Sequence, residues 1–166
     1  MRIIILILIF YSSISLAKAP FGLTWGADLS AYGDININGN TVTVLTNNLP
    51  GNNTKALKCF LKGSVESGLS LIRISSETYK LESTELKDIE KEIKEYLTSN
   101  DYEYVSLQLG SFSTYQCILH GDCYGNVLHA KSKQGNMVTV MIRGINKKGY
   151  LLVEFTAPHL LAQEKN

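Results

Sequence analysis

The chain contains little of what would point directly to a function. Among its 166 residues there are three cysteines, three prolines and one tryptophan, and the formal net charge is +1. Nucleic acids and anionic membranes bind a basic surplus on some face, and neither this balance nor a local cluster provides one, which disfavours both partners. From residue 18 onwards, nucleophile motifs such as G-x-S-x-G and S-x-x-K are absent, and no glycine loop precedes a Lys-Ser or Lys-Thr pair. We therefore expect no cofactor, and the sequence favours a non-enzymatic role.

Long apolar runs are also missing, with one exception at the start of the chain. Arg2 precedes the unbroken apolar run Ile3–Phe10, and mostly small polar residues then lead to Ala17. A helix of about eight residues spans about 12 Å, whereas the apolar core of a bilayer is about 30 Å thick. The pattern therefore predicts a cleaved signal peptide and no stable membrane anchor. A cut after Ala19 also fits the small-residue rule, but Pro20 would follow it, so we favour the cut after Ala17.

Removal of the predicted leader, residues 1–17, changes the net charge of the chain, and export places it in an oxidising compartment. One of the 16 Lys plus Arg residues lies in the leader, so 15 remain against 15 Asp plus Glu. The remainder divides into one domain over residues 18–157 and a polar C-terminal tail over residues 158–166. Export to the periplasm or the extracellular space places this domain where disulfides form and persist.

The first residues after the leader carry a short motif, Pro-Phe-Gly-Leu-Thr-Trp-Gly, at positions 20–26. Phe21, Leu23 and Trp25 alternate with small or polar residues, which predicts an extended segment with all three side chains on one face. The motif resembles the mature start, P-F-G-L-x-W-G, of small exported bacterial proteins of uncharacterised function. The resemblance implies a bacterial, envelope-located protein and implies nothing about its activity.

Strand and turn patterns dominate the rest of the domain. Asn38-Gly39 lies between alternating β-branched residues, which is a strong signal for a β-hairpin. Residues 56–62 and 69–75 predict a second pair of strands. Turn residues separate five further predicted strands after the helix, at residues 102–109, 114–119, 127–131, 137–143 and 150–156.

One amphipathic helix is predicted at about residues 84–99. Its apolar residues recur at spacings of three and four, and Ser83 or Thr84 can cap its first turn. Short strands joined by tight turns predict an α+β fold, a bent antiparallel sheet of about eight or nine strands with this helix packed on one face. Such a layout offers a groove at the helix edge, or a concave sheet face, for a ligand or partner.

Two of the three cysteines bracket a Gly-Asp turn. Cys117 and Cys123 are well placed to face each other across a hairpin, and an oxidising compartment favours a disulfide between them. Metal binding is the alternative, because Cys117-x-x-His120-x-x-Cys123 has the spacing of metal ligands. A fourth ligand would be needed and export favours oxidised thiols, so we expect no metal site. Cys59 lies among apolar residues at strand spacing, which favours a small buried residue; a bridging partner and a nucleophile are the alternatives.

The loop between these cysteines is the predicted binding surface. His120 and Asp122 lie at its tip, Tyr115 and Tyr124 flank it, and tyrosine is favoured at interfaces. Trp25 is a further candidate contact residue. No catalytic residue is assigned, although His120 and Asp122 have the chemistry of an acid and base pair.

Three classes of function fit these features. The first is a non-enzymatic binding or accessory protein that contacts a protein or a small envelope ligand; its sharper form is an inhibitor or immunity protein against a periplasm-acting enzyme. The second is a small secreted hydrolase that uses His120, Asp122 or Cys59. The third is a structural subunit of an envelope assembly, joined through exposed strand edges. The sequence leaves the oligomeric state open.

Overall fold

The computed structural model of the chain describes residues 17–47, 49–50, 57–120 and 125–157. Within these ranges, one antiparallel sheet of eight strands forms the body of the domain. The strands are β1 (Ile35–Asn38), β2 (Thr41–Thr46), β3 (Leu57–Ser64), β4 (Gly68–Ser76), β5 (Tyr102–Gln108), β6 (Val127–Ser132), β7 (Met137–Ile145) and β8 (Lys148–Thr156). The helical elements are α1 (Thr84–Ser99), α2 (Phe112–His120) and two 3-10 turns, Pro20–Gly22 and Leu29–Tyr32.

The strand order across the sheet is β1-β2-β3-β4-β8-β7-β6-β5. Every neighbouring pair is antiparallel, and the pairing of β4 with β8 joins the two halves. The first hairpin turns at Gly39, whose φ of +59° is left-handed and favours glycine. The α+β class, the number of strands and helix α1 are thus confirmed, and β1 and β5 are the two edges of the sheet.

The core lies on the face of the sheet that α1 covers. Alternate residues of β8, among them Val153 and Phe155, are buried there. The helix begins where the sequence predicts, because the Ser83 Oγ accepts a hydrogen bond of 3.3 Å from the N–H of Leu86. Burial of each large apolar side chain stabilises the fold by about 1.5–3 kcal/mol. Four residues of α1 join this core: Leu86, Ile89, Ile93 and Leu97.

The N-terminal motif does not form the extended segment that its alternation predicts. Pro20–Gly22 is a 3-10 turn in which Phe21 is left-handed, with a φ of +58°. Phe21, Leu23 and Trp25 are nevertheless all buried in the main core. The prediction of an extended segment is wrong, because a turn lets one short loop bury three large side chains. Their burial outweighs the cost of one left-handed residue, which is about 1–2 kcal/mol.

Residues 114–119 lie in helix α2, and the prediction of a strand there is wrong. Gln116 and His120, four residues apart, are exposed, while Ile118 is fully buried. This is the periodicity of a helix, and the run has no polar face of the kind a half-buried strand shows. The local preference of Thr, Tyr and Ile for strands is overridden by packing of α2 on β7, where the backbone of Ile118 lies against Gly144.

Two glycines allow backbone segments to approach one another closely at the start of β4. A Cβ on Gly68 would overlap the carbonyl oxygen of Gly26, and a Cβ on Gly63 would overlap the carbonyl oxygen of Gly68. Hydrogen bonds of 2.9 Å from Gly26 N to Leu69 O and from Leu69 N to Ala27 O hold the segments together. The N-terminal motif is therefore attached to the sheet through backbone contacts that need glycine.

We expect Gly68→Ala to lower the free energy of unfolding by about 3 kcal/mol, since it adds both left-handed strain and a backbone overlap. Gly39→Ala is the matched control, because its φ of +59° is close to the +67° of Gly68 but nothing lies within 4 Å of its added Cβ. The control should lose about 1 kcal/mol. Urea unfolding of both variants measures the difference, and equal losses would contradict the close approach.

Candidate functional site

The residues predicted to form a binding surface are not brought together by the described part of the chain. His120 is exposed at the end of α2 and Tyr115 is half-buried in the same helix. Trp25 belongs to the core and not to the surface, and its indole N–H has no acceptor among the described residues. Asp122 and Tyr124 lie outside the described residues. The binding role of this loop stays a prediction.

The predicted disulfide also involves a residue outside the described ranges. Cys117 is half-buried in α2, so the hairpin geometry from which the bridge was predicted is wrong, because Cys117 lies on a helix and not on a strand. Cys123 lies outside the described residues, and the Cys117–Cys123 bridge stays a prediction. Cys59 is a free thiol buried in β3, which removes the alternative in which it forms a bridge.

The described residues offer little for a hydrolytic mechanism. Burial raises the pKa of the Cys59 thiol to about 12, so this cysteine stays protonated at neutral pH and is a poor nucleophile. His129 is half-buried, and its Nδ1 lies 3.0 Å from the Thr139 Oγ1 within a hydrogen bond between neighbouring strands. Among the described residues, no group of three or more His, Cys, Asp or Glu side chains is placed to hold a metal ion.

The edge strand β5 carries an exposed apolar surface, which we call the β5 patch. It consists of Tyr104, Val105 and Leu107 in the strand and Leu109 directly after it, which are 55%, 60%, 54% and 70% exposed. Within the described ranges β5 pairs only with β6, so its outer edge has N–H and C=O groups without a sheet partner. Contiguous exposed apolar side chains of this kind mark interaction sites more often than chance exposure does.

A β-bulge shapes the β5 patch. The register with β6 shifts between Tyr104 and Ser106, so that Tyr104 pairs with Ala130 while Leu107 pairs with Leu128. Ala130 and Leu128 are both buried on the core face, and cross-strand partners share a face. The bulge therefore places Tyr104 and Leu107 on the same side of the strand, although they are three residues apart and regular alternation would separate them.

The patch borders a groove between β5 and α1. The groove has a volume of about 280 Å³, and the buried Leu128 and the half-buried Lys94 line it together with β5. The Lys94 Nζ lies 2.7 Å from the Glu90 Oε1, one turn earlier on α1, so the charge at this wall is compensated. An apolar groove with a neutralised rim suits an apolar ligand segment better than an ion.

The sequence contained part of the signal for this surface. Apolar residues occupy both alternation phases after position 102, whereas a strand with one face in water keeps one phase polar. The sequence therefore located the strand and its excess of apolar side chains. It did not show that this strand lies at the edge of the sheet.

Comparison of the chain with protein-family models, with curated proteins and with solved structures finds no match. Within the described ranges, every helix is too short or too polar to cross a lipid bilayer.

Burial of the Cys59 thiol predicts how the free energy of unfolding changes at alkaline pH. Its ordinary pKa of 9.0 is restored on unfolding, whereas the folded value is about 12, so the unfolded state loses its proton first as the pH rises. The free energy of unfolding should therefore fall above about pH 9, by up to ~1.4 kcal/mol per pH unit from this group. Urea unfolding of wild type and Cys59→Ala at pH 8 to 11 tests this. The variant should show the shallower slope, and identical slopes would contradict the assignment.

Proposed function

We propose that the chain is a non-enzymatic binding protein that acts outside the cytoplasm, and that its β5 patch and groove bind an apolar segment of a partner protein. The observation that carries this proposal is a group of large exposed apolar side chains, three on the edge strand β5 and Leu109 directly after it, beside a groove. A side chain of this kind gains about 1.5–3 kcal/mol when a partner buries it fully. A few such residues suffice as the centre of an interface.

The chemistry of the groove supports an apolar protein segment as the occupant. Leu128 at its base is buried and apolar, and Lys94 is already paired with Glu90. The bulge near Val105 interrupts the regular spacing of backbone groups along β5, which disfavours simple extension of the sheet by another strand. Side-chain contacts with Tyr104 and Leu107 therefore provide most of the affinity.

Two hydrogen bonds at the start of the domain bear on where a cleaved leader would end. Trp25 N donates to Ala17 O and Ala19 N donates to Leu23 O, both at 3.0 Å. Cleavage after Ala17 keeps the second bond, whereas cleavage after Ala19 would remove both. A leader that ends at Ala17 leaves more of this loop intact, in agreement with the cut favoured by Pro20.

An enzyme that acts in the periplasm is one class of partner that fits the proposal, in which case the domain is its inhibitor or immunity protein. The hydrolase alternative is weakened by Cys59, which is buried and held protonated. The structural-subunit alternative predicts self-association through β1 and β5, the two edges of the sheet.

Leu107→Asp tests the patch, because it places a charge where the partner's apolar segment would pack. Leu45→Asp is the matched control, since Leu45 is 72% exposed on β2, in the other half of the sheet. In affinity capture from an extract of the periplasm, wild type and Leu45→Asp should retain the same partner in equimolar amount. Leu107→Asp should reduce its capture at least tenfold, as expected for loss of about 1.5–3 kcal/mol. Circular dichroism checks that both variants fold.

Two results would contradict the binding proposal. Equal capture by all three proteins would show that the patch is not the contact surface. Sedimentation that finds a concentration-dependent dimer in wild type and a monomer in Leu107→Asp would assign the patch to a second copy of this chain, which is the structural-subunit alternative.

The proposed Cys117–Cys123 disulfide has a separate test. A peptide map of the exported protein without reductant should recover the two cysteines in one cross-linked peptide, and Cys59 should react with an alkylating reagent only after unfolding, because its thiol is buried. Free Cys117 and Cys123 in that map would remove the bridge and would reopen the metal-binding alternative.

A further inference from the structure

A second cavity, separate from the β5 groove, lies where the N-terminal loop meets the end of α1. Its volume is about 570 Å³, within the range of small-molecule sites. The turn at Pro20–Gly22 forms one wall, Tyr96 of α1 and Tyr102 of β5 form another, and Ser132 and Asn136 contribute from the connection between β6 and β7. None of the residues that line the β5 groove lines this cavity.

The wall formed by the N-terminal loop is held in a strained shape. Phe21 has a φ of +58° and a ψ of 32°, a left-handed conformation that is unfavourable for a residue with a side chain. The Phe21 N–H donates to the Tyr96 hydroxyl at 3.2 Å, and the two rings stack with their centroids 4.8 Å apart. Strain that the surroundings maintain in this way is found at binding sites, where it fixes the shape of the site before a ligand arrives.

Two hydroxyl groups of residues that line the cavity have no acceptor among the described residues. The Tyr96 oxygen accepts from Phe21, which leaves its own O–H free to donate, and the Tyr102 hydroxyl makes no hydrogen bond with the described residues. Burial raises the pKa of both phenols, and the nearby Tyr96 raises that of Tyr102 further, so both remain protonated donors. Asn136 is buried, and its amide Nδ2 lies 3.5 Å from the Lys18 carbonyl oxygen, at the limit of a hydrogen bond.

The charges around the cavity also favour a ligand with acceptor oxygens. Of the described residues that line it, Lys18 carries the only formal charge, and no carboxylate is among them. The remaining lining combines amide and hydroxyl groups with apolar residues, among them Ala19 and Pro20. A ligand that satisfies this set has acceptor oxygens with a negative charge at one end and an apolar body at the other.

We propose that this cavity binds a small carboxylate with an apolar body, whose oxygens accept hydrogen bonds from the Tyr96 and Tyr102 hydroxyls and face the Lys18 ammonium. The ligand is a molecule of about the size of an aromatic or short-chain acid. The site is independent of the protein contact at the β5 patch, so the domain has one surface for a partner and one cavity for a small molecule.

Benzoate is the probe that tests the proposal, and benzamide is its neutral control of nearly the same shape. In a titration followed by NMR chemical shifts at constant ionic strength, benzoate should shift the signals of Phe21, Tyr96 and Tyr102. It should bind about tenfold more tightly than benzamide, since hydrogen bonds to a charged acceptor are stronger than those to a neutral one.

Tyr102→Phe should weaken benzoate binding about tenfold, because it removes one donor and keeps the ring that packs on Phe155. Tyr104→Phe is the matched control, since Tyr104 lies two residues along the same strand but lines the β5 groove instead. Its affinity for benzoate should equal that of wild type, and thermal unfolding shows that both variants remain folded.

Four results would overturn the assignment: no saturable shift with benzoate, equal binding of benzoate and benzamide, an unchanged affinity in Tyr102→Phe, or inorganic phosphate binding as tightly as benzoate. The last would show an anion site without an apolar part. None of these results depends on partner capture through Leu107, so this proposal and the proposed function stand or fail separately.

Discussion

Packing of aromatic rings around Phe155 is the interaction on which the rest of the structure depends. The ring of Phe155, in β8 at the centre of the sheet, lies 5.6 Å from that of Phe21, 6.3 Å from that of Tyr96 and 6.0 Å from that of Tyr102, all in edge-to-face arrangements. These three residues belong to the N-terminal loop, to α1 and to β5. One buried side chain therefore connects the start of the domain, its main helix and an edge strand to the middle of the sheet.

The same cluster separates the two candidate surfaces. On its solvent side, Tyr96 and Tyr102 direct polar groups towards the small-molecule cavity, while their rings remain in contact with Phe155. Further along β5, Tyr104 and Leu107 lie beyond the cluster and remain exposed. A groove remains between α1 and this part of β5, so the fold leaves an apolar surface apart from the more polar cavity.

Predictions from the sequence succeeded where a local pattern decides the outcome and failed where a distant contact does. The turn at Gly39 and the cap at Ser83 follow from the chemistry of two or three neighbouring residues, and both are observed. Residues 114–119 have strand-forming side chains but form a helix, because Ile118 packs on β7. Trp25 was a reasonable surface candidate by type, and only the folded loop shows it to be buried.

The sequence by itself determined most of the strands, the extent of α1 and the excess of apolar residues after position 102, since periods of two and of 3.6 residues are local properties. Tertiary structure alone decided that β5 is an edge, that Cys59 is a free thiol, and that Phe21, Tyr96 and Tyr102 line one cavity. Edge position and burial depend on pairings such as Ile74 with Val153, residues far apart in the chain. No window of neighbouring residues contains the information that selects such a pairing.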